Sequence, residues 1–221
     1  MAKKRGGFGK AHTRYYLPSG KQVVGTTTVL GLLSKPQLVP WANKLGLDGY
    51  DVAKYVDILA EVGRCAHYLI QMHLQQQEPN LREFSPIVVD AAENSFLSYL
   101  AWEQKHHIEV LWCEKPLISV EFEYGGTPDV YCKLDDAFTL LDFKTGGVYQ
   151  EHFYQVNGAY RRLMRENEYL LDQCIVLQIP RSEDERFGVF PLTSNETDWL
   201  IFYHLLEIHK LRKAAKAKKV V

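Results

Sequence analysis

Apolar and polar positions alternate from Thr13 to Leu30 around a Pro18-Ser19-Gly20 turn signal, and the pattern predicts an N-terminal β-hairpin. Lys35-Pro36 ends a short helix after it, and Pro40-Trp41-Ala42-Asn43 opens another that runs to about Leu45. Trp41 is read as a packing residue, with base stacking as the alternative. From Val52 to Gln77 the period lengthens, and Ala53, Val56, Leu59/Ala60, Gly63, Ala66/His67 and Ile70 share one face of a long helix. Phe84 to about His107 predicts a second amphipathic helix. Strand material from Val110 to Ser119 and Val120 to Tyr124 leads to Gly125-Gly126, which permits a bend or bulge. Val130 to Leu134 and Ala137 to Phe143 flank a polar Asp135-Asp136 pair and read as a hairpin. A helix from about Tyr149 to Glu166, strands at Asp172 to Ile179 and Arg186 to Leu192, and a helix from Asn195 complete the chain. Interleaved strands and helices predict an α/β fold with a central mixed sheet flanked by helices. One domain is expected over 1–221, with a hairpin and helical extension to about residue 50 and a basic C-terminal helix from about 195.

The central hairpin concentrates the candidate chemistry. A turn on Asp135-Asp136 pairs Leu134 with Ala137, and the same register sets Asp129 opposite Asp142. Alternation puts Asp129, Tyr131, Leu140, Asp142 and Lys144 on one face, expected to carry the chemistry, and Val130, Cys132, Leu134, Leu141 and Phe143 on the core face. Two carboxylates about 5 Å apart repel by about 3 kcal/mol at an effective dielectric near 20. A shared proton offsets that, but Lys144 on the same face fits a hydrated divalent cation, Mg²⁺ or Mn²⁺, better. A solvated polar face with a Lys–Asp ion pair is the other reading.

Composition adds constraints. A hydrophobic content of 46% with 24% charged residues is that of a globular protein and excludes neither an enzyme nor a binding module. No run approaches a membrane span and no signal-peptide pattern is present, so a soluble, intracellular protein is expected. Cys65, Cys113, Cys132 and Cys174 include no C-x-x-C pair, which argues for reduced structural thiols and against zinc or an iron–sulfur cluster. The net charge of −1 hides asymmetry. Residues 1–14 hold five Lys/Arg and residues 208–221 hold six, with no acid at either end, so the body between has 15 basic against 27 acidic residues, or −12. Basic ends on an acidic body suit nucleic-acid-binding arms, with solubilising tails as the alternative.

Pro128-Asp129 followed by Asp142-Phe143-Lys144 resembles the PD-(D/E)XK nuclease superfamily. The order of a helical G-x-x-x-H (Gly63 to His67), G-T-P-D, D-F-K-T-G and a helix opening around Gln155 is similar to the RecB-like exonuclease branch, including phage exonucleases and the mitochondrial genome maintenance exonucleases. The likeness spans roughly residues 50–180. It implies a restriction-endonuclease-like core and a metal-dependent deoxyribonuclease, an exonuclease ahead of a structure-specific or restriction-type endonuclease. A non-catalytic nucleic-acid-binding accessory protein is the rival from another class. One or two Mg²⁺ or Mn²⁺ ions would be held by His67, Asp129, Asp142 and the Phe143 carbonyl. Lys144 would orient or deprotonate the attacking water or stabilise the charged transition state, and Asp129, Asp142 and Gln155 would complete the catalytic set.

One departure from the resemblance is visible. The branch carries Q-x-x-x-Y after the lysine, whereas Tyr160 follows Gln155 by five positions, about 500° of α-helix, so Tyr160 is expected to point about 140° away. Gln150 with Tyr154 has the right spacing but stands close to Lys144; Gln155 is the preferred reading, with Tyr160 as a core or backbone-contacting residue. Glu114 resembles a glutamate often found in the strand ahead of the G-T-x-D hairpin, which would place it behind the metal ligands rather than among them; an exposed strand charge is the other reading. Thr145, Tyr160, Arg64 and Lys213 are expected to contact DNA, as single strands or duplex ends. The resemblance is compatible with a single-strand-binding or recombination partner protein and with a homo-oligomer. The expected setting is the cytoplasm of a bacterium or phage-infected cell, with a mitochondrion as the alternative.

Overall fold

The computed structural model describes residues 13–36 and 38–218. The basic start with Lys3, Lys4, Arg5 and Lys10, and Lys219, lie outside the described residues. At the centre, β6 (Val130–Leu134) and β7 (Ala137–Lys144) pair antiparallel, Leu134 with Ala137 and Val130 with Leu141. Asp135 and Asp136 both take positive φ, 48° and 70°, which gives a two-residue loop the twist that matches its strands. The Asp135 carboxylate fixes the turn by accepting the His107 backbone N–H at 2.8 Å and meeting His106 Nδ1 at 2.7 Å.

This hairpin sits inside a five-stranded mixed sheet in the order β3 (Ile108–Cys113), β6, β7, β8 (Gln173–Gln178), β9 (Gly188–Leu192), with β7 and β8 parallel. Helices cover both faces. Val130, Cys132, Leu134, Leu141 and Phe143 pack with α3 (Val52–Leu74) and α4 (Pro86–Glu103). Tyr131 and Leu140 pack on the opposite face with Val156, Ala159, Tyr160, Leu163, Phe202 and Leu206. The expectation of one core face and one chemical face is therefore corrected. Tyr131 and Leu140 are 4% and 0% exposed, so both faces are core and only the strand ends are left for polar chemistry.

A smaller mixed sheet has the order β1 (Tyr15–Tyr16), β2 (Gln22–Gly25), β5 (Tyr124–Gly126), β4 (Leu117–Ser119), with β2 and β5 parallel. Three local expectations change here. Thr26–Leu30 is a short helix, α1, rather than strand, anchored by the Thr26 hydroxyl donating to the Gly125 carbonyl at 2.9 Å. Residues 120–123 form a turn instead of strand, closed by the Phe122 N–H donating to the Ser119 hydroxyl. Gly125-Gly126 is strand, not a bulge, and the glycines serve close packing: a Cβ on Gly125 would lie 2.3 Å from the Tyr15 ring and one on Gly126 would lie 2.6 Å from Tyr160. Helix α2 (Leu38–Leu47) buries no residue, and Trp41, expected to pack, lies half-exposed with its ring 6.1 Å from Tyr55. No helix among the described residues is long and apolar enough to cross a membrane.

Candidate active site

The C-terminal end of β7 is where three helices and the loop before β6 come together. Asp129 is buried, and its Oδ2 accepts the Phe143 backbone N–H at 2.8 Å, which ties the start of β6 to the end of β7. Asp142 is 1% exposed and forms an ion pair with Lys144 through Oδ2. Burial pushes the Asp142 carboxyl above the usual carboxylate range; the Lys144 ammonium opposes this and the Asp129 charge reinforces it. The register that sets the two aspartates side by side is therefore a repulsive one between buried groups, with the lysine as its internal counter-charge.

Helix α3 brings His67 from the side of the first core. Asp51 caps the helix by accepting the Lys54 N–H at 3.2 Å, and Val62, Cys65, Ala66, Leu69 and Ile70 bury its inner face. The His67 ring stands perpendicular to Phe143 at 5.8 Å, and its Nδ1 lies 3.5 Å from Asp129 Oδ2. Gly63, one turn earlier, makes room for a side chain: a Cβ there would lie 3.0 Å from the Thr145 hydroxyl.

Glu114, left undecided by its position in the chain, completes a cluster. His67, Glu114 and Asp129 each offer a ligand atom within 4.8 Å of the others. The pairing of β3 with β6 delivers it, since the Glu114 N–H donates to the Asp129 carbonyl at 2.7 Å and Glu114 takes a φ of 50° just past the strand end. A void of about 10 Å³ lined by His67, Gln71, Glu114, Asp129, Val130 and Phe143 lies between them, room for one water- or ion-sized occupant. One imidazole and two carboxylates are a donor set that can hold a divalent cation with water in its open positions. Asp142 is not part of this trio; its carboxylate is engaged by Lys144. Gln71 follows His67 by one helical turn, and continuing the Gly63–His67 spacing would have found it.

The helix behind the site contains the largest departure from expectation. Gln150–Phe153 (α5) and Arg161–Glu166 (α6) are α-helical, but Tyr154–Tyr160 between them is a π-helical segment. Its i→i+5 bonding puts residues five apart on the same side. Gln155 therefore meets Tyr160, with Gln155 Nε2 donating to the Tyr160 hydroxyl at 2.8 Å, and the 140° divergence expected from α-helical geometry does not occur. Both side chains are buried, whereas Gln150 of the alternative pair is exposed. Burial, then the charges of Asp142 and Asp129, push the Tyr160 phenol well above its usual range, so it stays neutral. His152 also faces Lys144: burial and then the lysine push its imidazole down to about 3, and its Nδ1 accepts the Tyr149 N–H at 3.1 Å, which leaves the proton of the neutral ring on Nε2.

Two clefts border this centre. One of about 450 Å³ is lined by Gly63, Arg64, His67, Tyr68, Gln71, Met72 and Glu114, with Arg64 held by Glu61 at 2.9 Å. The other, of about 630 Å³, is lined by Arg14, Thr27, Thr28, Thr127, Tyr160 and, from α7 (Glu196–Lys218), His209 and Lys213, among others. The four residues expected to touch DNA thus divide: Arg64 and Lys213 line the clefts, Tyr160 forms the floor of one, and Thr145 packs against Gly63.

No family model and no curated protein matches the chain. Among solved structures, an alkaline exonuclease (LHK-Exo) from Laribacter hongkongensis is similar at 14% identity and a TM-score of 0.38, over 90% of this chain and 95% of that one. The structure of LHK-Exo in complex with dAMP is similar at 16% identity and a TM-score of 0.34, over 74% of this chain and 92% of that one. Similarities this distant assign no activity to this chain.

Proposed function

We propose that the chain is a metal-dependent deoxyribonuclease that hydrolyses phosphodiester bonds, and that it acts from DNA ends. The observation that carries the reading is the junction of the Asp142–Lys144 ion pair with the His67, Glu114 and Asp129 trio, two of whose members, His67 and Glu114, line the 450 Å³ cleft. A Mg²⁺ or Mn²⁺ ion bound by His67, Glu114 and Asp129 would polarise a phosphate oxygen and lower the pKa of a water. Lys144 donates toward the reacting phosphate or its attacking water and balances the charge that grows there. Asp142 holds the Lys144 ammonium in place, while Gln155, fixed by Tyr160, supplies an amide to orient a phosphate oxygen or water. No Ser/His/Asp constellation or activated thiol is needed, because water is the nucleophile; burial pushes the thiols of all four cysteines up, to about 11 or 12, so they stay protonated. Action at ends rather than within strands rests on the motif order shared with RecB-like exonucleases.

End-labelled linear single- and double-stranded DNA, incubated beside covalently closed circles with Mg²⁺, Mn²⁺ or EDTA, tests the proposal. Metal-dependent loss of linear DNA alone is expected, and Lys144→Ala is expected to lower the rate by a factor on the order of 10²–10⁴. Cutting of circles would make the protein an endonuclease. Undiminished cleavage by Lys144→Ala would remove the lysine from the mechanism.

A further inference from the structure

A further cavity, of about 440 Å³, is lined by residues of the π-segment but by neither Gln155 nor Tyr160. Asn157 and Gly158 of that segment, Arg161 and Arg165 of α6, and Trp199 and Leu170 are among its lining residues. Its arginines differ in what surrounds them. Arg162 is satisfied, paired with Glu121 and Glu166 and stacked over Phe122 and Trp199. Arg161 is partly buried yet bonded only to neutral acceptors, its Nε to Asn157 Oδ1 at 2.8 Å and an Nη2 to the Leu192 carbonyl at 3.4 Å. The Arg165 guanidinium has no hydrogen bond or ion pair among the described residues, although its backbone carbonyl accepts the Glu168 N–H at 3.1 Å. A guanidinium carries five N–H donors, so these two present donors with no protein partner to one space. The start of α7 adds its positive end nearby, capped by Asn195, which accepts the Asp198 N–H at 2.9 Å. Glu168 and Glu196 on the rim are exposed, where water and salt screen them.

We infer that this cavity is a binding site for a phosphomonoester of nucleotide size, its phosphate held by Arg161 and Arg165 and its apolar part set against Leu170 and Trp199. Paired guanidinium forks match phosphate oxygens in geometry and charge. The volume exceeds what a free phosphate fills and lies in the range of small-molecule sites. Leu170 is 68% exposed, which gives an apolar group a surface to cover. The ligand would touch Asn157 and Gly158, the residues on the back of the turn that holds Gln155 and Tyr160. The inference stands apart from the nuclease reading, since no residue of the His67, Glu114, Asp129 and Lys144 cluster lines the cavity.

Calorimetric titration in EDTA with a deoxynucleoside 5′-monophosphate and, separately, with inorganic phosphate tests it, on the wild type and on Arg165→Gln, Arg161→Gln and Lys144→Ala. Arg165 is exposed, so its variant tests the site without burdening the fold. Expected is binding that weakens about tenfold or more in Arg165→Gln and Arg161→Gln and is unchanged in Lys144→Ala. Tighter binding of the nucleotide than of phosphate would assign the apolar wall to the ligand, and equal binding would assign the site to the phosphate group alone. No binding at millimolar ligand, or binding that Lys144→Ala abolishes and Arg165→Gln leaves intact, overturns the inference.

Discussion

Two side chains at the candidate site make opposite demands on solvent and charge. Glu114 faces His67 and Asp129 across an ion-sized gap, where a cation would be a partner common to all three. Glu114→Gln is expected to weaken Mn²⁺ binding, read by calorimetry, by at least the ten- to hundredfold loss that follows removal of an outer-shell partner, while Lys144→Ala leaves Mn²⁺ affinity intact. His152 is the reverse case, a ring kept neutral by burial and by the neighbouring lysine, with its affinity for protons pushed down to about 3. Above the ordinary histidine value, near 6.5, folded and unfolded chains both carry it neutral. As pH falls from there toward 3, the unfolded chain takes up a proton that the folded one refuses, so stability declines with falling pH across that window. The ring is partly exposed, and we expect about 1 kcal/mol of this loss by pH 5. Thermal melts at pH 7 and pH 5 should show a smaller drop for His152→Gln than for the wild type.

The element that most shapes the site is the π-segment Tyr154–Tyr160. Runs of i→i+5 bonding are rare and need support. Here the support comes from α7: Asn157 Nδ2 donates to Asp198 Oδ2 at 2.7 Å and to the Thr193 carbonyl at 3.0 Å, and Gly158 lies so close to the start of α7 that a Cβ would be 2.5 Å from the Asp198 carbonyl oxygen. In an isolated helix Gly→Ala is favourable by about 1 kcal/mol. At position 158 the sign reverses, because the neighbour is backbone and cannot step aside. Gly158→Ala is expected to destabilise by about 1–3 kcal/mol, seen as a lower urea midpoint with an unchanged slope.

Across the whole molecule, charge is sorted by region. The acidic body repels phosphate, whereas the far half of α7 carries Lys210, Arg212, Lys213, Lys216 and Lys218, with Lys213 in the wall of the 630 Å³ cleft. If DNA binds through this helix, it would release counterions in proportion to the phosphates neutralised. Replacing Lys213 and Lys216 together by Gln should flatten the slope of log K against log salt by about 1.4 on single strands and about 1.8 on duplex. A double variant with wild-type salt dependence would show that α7 does not carry the DNA.

The chain by itself determined what short-range geometry dictates. A two-residue turn at Asp135-Asp136 fixes its own register, and with it the neighbourhood of Asp129, Asp142 and Lys144, because every pairing follows from the first. Helical spacing likewise put Gly63 and His67 on one face. What lay beyond reach depended on partners distant in the chain. Glu114 joins His67 and Asp129 only because β3 pairs with β6, and an exposed strand charge would have looked the same in sequence. The second face of the hairpin is core because the helix after Lys144 and α7 close over Tyr131 and Leu140, an outcome that alternation alone leaves open. Gln155 meets Tyr160 because contacts from Thr193 and Asp198, some 40 residues on, stabilise a π-turn that local propensity disfavours. Tertiary packing overrode the α-helical period there, and that override is what completes the back wall of the site.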